Sequence, residues 1–255
     1  MFKAIRVGIL LLILLFVSVN SLLTQARSTD WDNSLWVKVY PINADGSDAT
    51  ARYIQGLQAD SFNEIESFLA REAERYGHGI DRPVRIELGR EVREQPPAID
   101  PEPGTFDIMV WSLKLRWWAN SVGSEQDDPP PDVRMFVRYH SPDESFHLEN
   151  SVGLQKGMVG VVNAYASRQH NGTNSFIIAH EFLHTLGATD KYELGSGLPV
   201  FPDGYADPGR NPLHPQRKAE IMGGRIALSE FDAMVPTTLK DVIIGQVTAE
   251  EIRLR

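Results

Sequence analysis

The chain has 255 residues, a formal net charge of −9 and no cysteine. The acidic balance excludes a general nucleic-acid binder, because neutralising phosphates needs clustered Lys and Arg, and no basic stripe occurs beyond the extreme N-terminus. The absence of cysteine excludes disulfides, thiolate ligands and a Cys nucleophile, so any metal site must draw on His, Asp, Glu or Tyr.

Lys3 and Arg6 precede an apolar run from Val7 to Val19, which Leu22 and Leu23 extend. That length suits a signal-peptide core and approaches a membrane span, and the positive residues ahead of it orient the rest of the chain outside the cytoplasm. Residues 1–27 are therefore expected to enter a membrane at least transiently, as a cleaved signal peptide or an N-terminal anchor. The expected location is periplasmic or extracellular, with residues 7–23 holding the protein at the inner membrane if they are retained. Residues 28–34 read as a linker and residues 35–255 as a single domain.

Leu35 to Tyr40 alternates apolar with other residues and stops at Pro41, which predicts a first strand. Tyr53, Ile54, Leu57, Phe62, Ile65, Phe68, Leu69 and Ala73 recur at helical spacing up to Gly77, with a break near Asp60-Ser61. A second strand is expected over 83–88, a proline-rich loop over 94–104, and a helix over 106–122. Strands are expected over 133–139 and 158–165, then a helix over 174–186. A long irregular stretch reaches about Glu220, and Thr248-Ala-Glu-Glu resembles a helix start. This order predicts an α+β fold, a twisted mixed sheet packed with helices.

The chemistry concentrates in His180-Glu181-Phe182-Leu183-His184. Two histidines four apart on a helix project from one face and can share a Zn²⁺. Glu181, one residue past the first, is placed to act as general base on a water. The flanking Phe176, Ile177, Ile178, Ala179, Leu183 and Leu186 make this a buried helix, where unpartnered His and Glu would be costly and a metal would serve as their partner. Gly187 can end the helix in a left-handed turn, and Asp190 lies six residues after His184. The residues alone leave the third ligand open between Asp190, Glu220, Glu193 and His214.

The full string, His-Glu-x-x-His-x-x-Gly-x-x-Asp, resembles the metzincin metallopeptidases in the variant whose third ligand is an aspartate. Snapalysin-like and immune-inhibitor-A-like peptidases share this look, the latter also around Asp190-Lys191-Tyr192-Glu193. The resemblance implies His180, His184 and Asp190 as zinc ligands and Glu181 as the catalytic base. It also implies a zincin-like fold with a methionine turn beneath the metal, for which Met222 in Ala219-Glu220-Ile221-Met222-Gly223-Gly224 is the candidate. Tyr192 and Tyr205 are the candidates to assist the oxyanion. The substrate implied is a peptide or protein, and the strand over Val159–Tyr165 is expected at the sheet edge, pairing with it by strand addition.

Two other readings compete: a membrane-tethered protein with a structural zinc, and an amidohydrolase acting on non-peptide amides. Asp203 to Asp207 offers oxygens to a Ca²⁺, against the simpler reading of a solvated turn. Arg116-Trp117-Trp118 reads as core or interface. Oligomeric state has no signature in the sequence.

Overall fold

In the computed structural model, which describes residue 6 and residues 29–98, 104–123, 129–142, 151–155 and 157–255, the first strand β1 (Leu35–Asn43) runs through Pro41 instead of stopping there. The Val39 and Pro41 carbonyls face the same flank, where pairing with the next strand ends at Val39 and only a loop N–H, from Val92, reaches Pro41. The missing proline N–H therefore costs no ladder bond. Helix α1 (Asp48–Gln55) is capped by Ser47, whose side chain accepts the Thr50 N–H. A 3₁₀ turn at Ala59–Phe62 separates it from α2 (Asn63–Arg75), which supplies the break expected near Asp60. Then come β2 (Val84–Leu88), α3 (Thr105–Val122), β3 (Val133–His140), β4 (Val152–Leu154), β5 (Val159–Tyr165), α4 (Asn171–Leu186) and, near the C-terminus, α5 (Gln246–Glu251).

The strands form one mixed sheet in the order β2-β1-β3-β5-β4. The first four are parallel, and β4 runs antiparallel along β5. The α+β expectation holds. One detail does not: β5 is an inner strand, because the short β4 occupies the flank on which an added strand was expected. The edge on that side is β4.

Both faces of the sheet are covered, which is why most residues of β1, β3 and β5 are buried. On one face Val37, Val39, Met135, Val137, Val162 and Ala164 pack in a core with Phe68 and Leu69 of α2 and Ile178, Phe182 and Leu186 of α4. On the other, Tyr40, Ile42, Phe136 and Val161 meet Leu115, Ala119 and Val122 of α3. Trp118 belongs to this second core, its ring 4.6 Å from that of Phe136, whereas Trp117 is exposed.

The C-terminal segment closes the first face. Glu72 is buried on α2, paired with Arg75, and accepts the Ile244 N–H. The expected helix start at Thr248 is corrected: α5 begins at Gln246 with Gly245 as its cap, and Thr248 is buried inside the helix. Its hydroxyl is committed to the Glu220 carboxylate and so does not cap. Among the described residues no helix is long and apolar enough to cross a membrane. The apolar N-terminal run lies outside them.

Candidate metal centre

Helix α4 is fixed at both ends. At its start the Asn174 amide exchanges two hydrogen bonds with the backbone of Tyr165 at the end of β5. At its end Gly187 takes a left-handed conformation, φ 111°, and its N–H and that of Ala188 return to Leu183. A side chain at Gly187 would be strained by that φ and would also strike the Gln155 amide. The reversal carries Ala188 back beneath the His184 ring and Asp190 across the helix face.

The resulting geometry is a small triangle. His180 Nε2 and His184 Nε2 are 3.1 Å apart, and Asp190 Oδ1 lies 3.2 Å from the first and 3.1 Å from the second. His180 Nδ1 donates to the Ile221 carbonyl at 2.9 Å, and His184 Nδ1 donates to the Ala188 carbonyl at 2.8 Å. A carbonyl can only accept, so each Nδ1 carries the proton and each neutral ring turns a bare lone pair inward at Nε2. Three electron-pair donors converging without a donor hydrogen among them repel unless a cation lies between. Tetrahedral Zn²⁺ with bonds of about 2.0–2.1 Å sets its ligand atoms about 3.3–3.4 Å apart, close to the edges found here. The residues fit a zinc ion.

Glu181 lies beside the triangle without closing it. Its carboxylate shares a 4.8 Å neighbourhood with the two histidines, and Asp190 comes closer to them. Burial pushes the Glu181 carboxyl above its ordinary range, opposed by the two histidines and by the N–H of Gly153 on β4. Asp190 is also raised by desolvation, but the two imidazoles facing it outweigh this and hold it well below the carboxylate range. Desolvation pulls His184 down, but the Asp190 and Glu181 carboxylates beside it reverse that, so its basicity is raised overall.

The remaining sequence candidates separate clearly. Glu220 is committed to its own neighbours: fully buried, it accepts the Gly223 N–H at 2.8 Å, the Gly245 N–H at 2.9 Å and the Thr248 hydroxyl at 2.7 Å. It braces the turn at Ile221–Gly224, whose Ile221 and Met222 carbonyls hold the His180 ring and the Lys191 N–H. Met222 is buried in the core. Glu193 is exposed and accepts from Ser196, and His214 meets the Tyr205 hydroxyl at 3.1 Å. Tyr205 is thereby occupied away from the triangle. Tyr192 is the tyrosine at the site, its ring 6.3 Å from that of His180 and its hydroxyl pushed up to about 12 by burial and by Asp190 and Glu181. Asp203 is exposed in a turn, and the Asp207 backbone is held by Gln216.

Sequence reasoning missed three contributors. Gly153 lets β4 lie against α4: a Cβ there would strike the Glu181 carbonyl and sit 2.5 Å from His184 Cβ. An isolated glycine between Val152 and Leu154 was the available signal. Glu251 on α5 accepts from the Thr189 N–H and hydroxyl and from Lys191 Nζ, clamping the residues on either side of Asp190. It lies about 60 residues from them, and nothing local marks it. Arg225 lines the pocket beside His180 and likewise has no motif.

Compared with models of known protein families and with curated protein sequences, the chain finds no match.

Proposed function

We propose that the chain is an exported zinc-dependent peptidase of the zincin class, metzincin-like in the order of its ligands, acting on a peptide or protein substrate. The observation that carries this reading is the triangle of His180 Nε2, His184 Nε2 and Asp190 Oδ1, with both rings held by backbone carbonyls. Three protein ligands leave a coordination position for chemistry, where a structural zinc takes four. Zinc in that position would supply Lewis acidity to a scissile carbonyl and acidify a water.

The chain's own residues account for the rest. Glu181 takes the proton of the attacking water on its carboxylate and passes it to the departing amine nitrogen. The Gly153 N–H and burial keep that carboxylate in place. The Tyr192 hydroxyl, protonated at neutral pH, is a donor for the charge developing on the carbonyl oxygen. β4, the edge strand of the sheet, is the one along which an extended substrate would lie.

The test is metal content together with peptide hydrolysis. Purified protein should hold one zinc per chain, cleave unstructured peptides, and lose activity on chelation. Glu181→Gln should retain the zinc and lose at least about 100-fold in turnover, in the range expected for removing a general base. Unchanged turnover in that variant, or a zinc-loaded protein inert toward every peptide, would overturn the reading.

A further inference from the structure

Beside the triangle lies a cavity of about 330 Å³, and His180 forms part of its wall. Phe176, Leu194 and Val235 give it an apolar lining. Against these stands one cation, Arg225. Among the described residues no carboxylate forms an ion pair with it, although acidic residues outnumber basic ones in the chain as a whole. The guanidinium rests on Gly197, where φ is 67° and a Cβ would lie 3.0 Å from Nη2 and 3.1 Å from Cζ. Any other residue at 197 would be strained by that φ and would crowd the guanidinium. Arg225 is also near enough to Tyr192 to act on its hydroxyl, which places its charge within the site.

We infer that this pocket binds a carboxylate of the substrate, read by Arg225, next to the bond that is cut. The inference rests on the peptidase reading for the word "cut" and on the pocket alone for the carboxylate. A guanidinium presents a planar fork that matches a carboxylate with two parallel hydrogen bonds, and it gains most where apolar walls exclude water. The apolar lining takes the carbon skeleton that bears the acid. Two substrate features share this chemistry: an Asp or Glu side chain flanking the scissile bond, and a free C-terminal carboxylate.

The experiment uses full-length, zinc-loaded Glu181→Gln protein, so that binding is measured without turnover. One hexapeptide library is titrated by calorimetry in four versions, with Glu or Gln at a fixed central position and a free-acid or amide C-terminus. The version with the recognised acid should bind at least about tenfold tighter than the doubly neutral one, the difference expected for hydrogen bonds to a charged group. Which acid confers it distinguishes side chain from C-terminus. Adding Arg225→Gln should abolish the difference, while Arg225→Lys should retain part of it; zinc content and thermal midpoint serve as folding controls. Equal binding of all four versions, or a preference that survives Arg225→Gln, overturns the inference. With Glu181 intact, an Arg225-dependent preference without cleavage would leave the pocket standing and remove the peptidase reading. Cleavage indifferent to both acid and Arg225 would do the reverse.

Discussion

Glu220 and Asp190 are both carboxylates downstream of the paired histidines, and their substitutions should fail in opposite ways. Glu220 is fully buried and accepts three hydrogen bonds, from Gly223, Gly245 and Thr248. In Glu220→Gln an amide NH₂ replaces one acceptor oxygen and faces a donor. Each bond to a charged acceptor contributes about 1.5–3 kcal/mol, and a buried donor left unpaired costs about 1–3 kcal/mol. Relief of a buried charge offsets part of this, leaving a net loss of roughly 2–4 kcal/mol. Against a total stability of about 5–15 kcal/mol the variant still folds. Its urea midpoint should fall by about 1 M or more, for a slope of about 1–3 kcal/mol per M. Its zinc content at saturating metal should stay at one. Asp190→Asn presents the other pattern, because Asp190 is one-third exposed and contributes little to the core. In the metal-free protein its urea midpoint should scarcely move. Its zinc affinity should fall by more than the roughly 10–100-fold that accompanies loss of an outer hydrogen-bond partner. Denaturation curves paired with zinc titrations separate the two cases. Normal zinc affinity in Asp190→Asn, with zinc lost from folded Glu220→Gln, would refute the ligand assignment.

Two further predictions concern the supports of the site. Gly153→Ala places a methyl group against the Glu181 carbonyl and His184 Cβ, displacing β4 at an expected cost of about 1–3 kcal/mol; peptide turnover should fall at least tenfold with zinc still bound, and wild-type kinetics would show that β4 does not rest on α4. Glu251 is raised by desolvation but pulled down further by Lys191 and Thr189, so its folded-state pKa is lowered. A lowered carboxyl contributes stability above its unfolded value, about 4.3, and loses it as pH falls through the folded value. The stability gap between wild type and Glu251→Gln should therefore be present at pH 7 and close below about pH 4. Denaturation of the metal-free proteins across that range checks it, and a gap independent of pH would contradict the clamp.

The features legible in the sequence were local. The offset between His180 and His184 is set by helical pitch, and Gly187 marks the only kind of residue that takes φ 111° without strain. The alternation over Leu35–Tyr40 and the apolar residues gathered over 133–139 and 158–165 pointed to the strands of the sheet. Pro41 misled on where β1 ends, since a proline's missing N–H matters only if a partner strand lies on its flank. The three residues of β4 were too few to show alternation, and with them went the identity of the sheet edge.

Only the tertiary structure shows which carboxylate lies against the histidines. Asp190, Glu193 and Glu220 are chemically alike, and sequence distance does not say which returns to the histidines. The left-handed turn at Gly187 and the clamp of Glu251 bring Asp190 back, whereas the Gly223, Gly245 and Thr248 donors consume Glu220. The Ile221 carbonyl that fixes the His180 ring comes from 41 residues away. Hydrogen-bond partners at such separations depend on how the chain packs, a property of the whole fold that no local window of sequence carries.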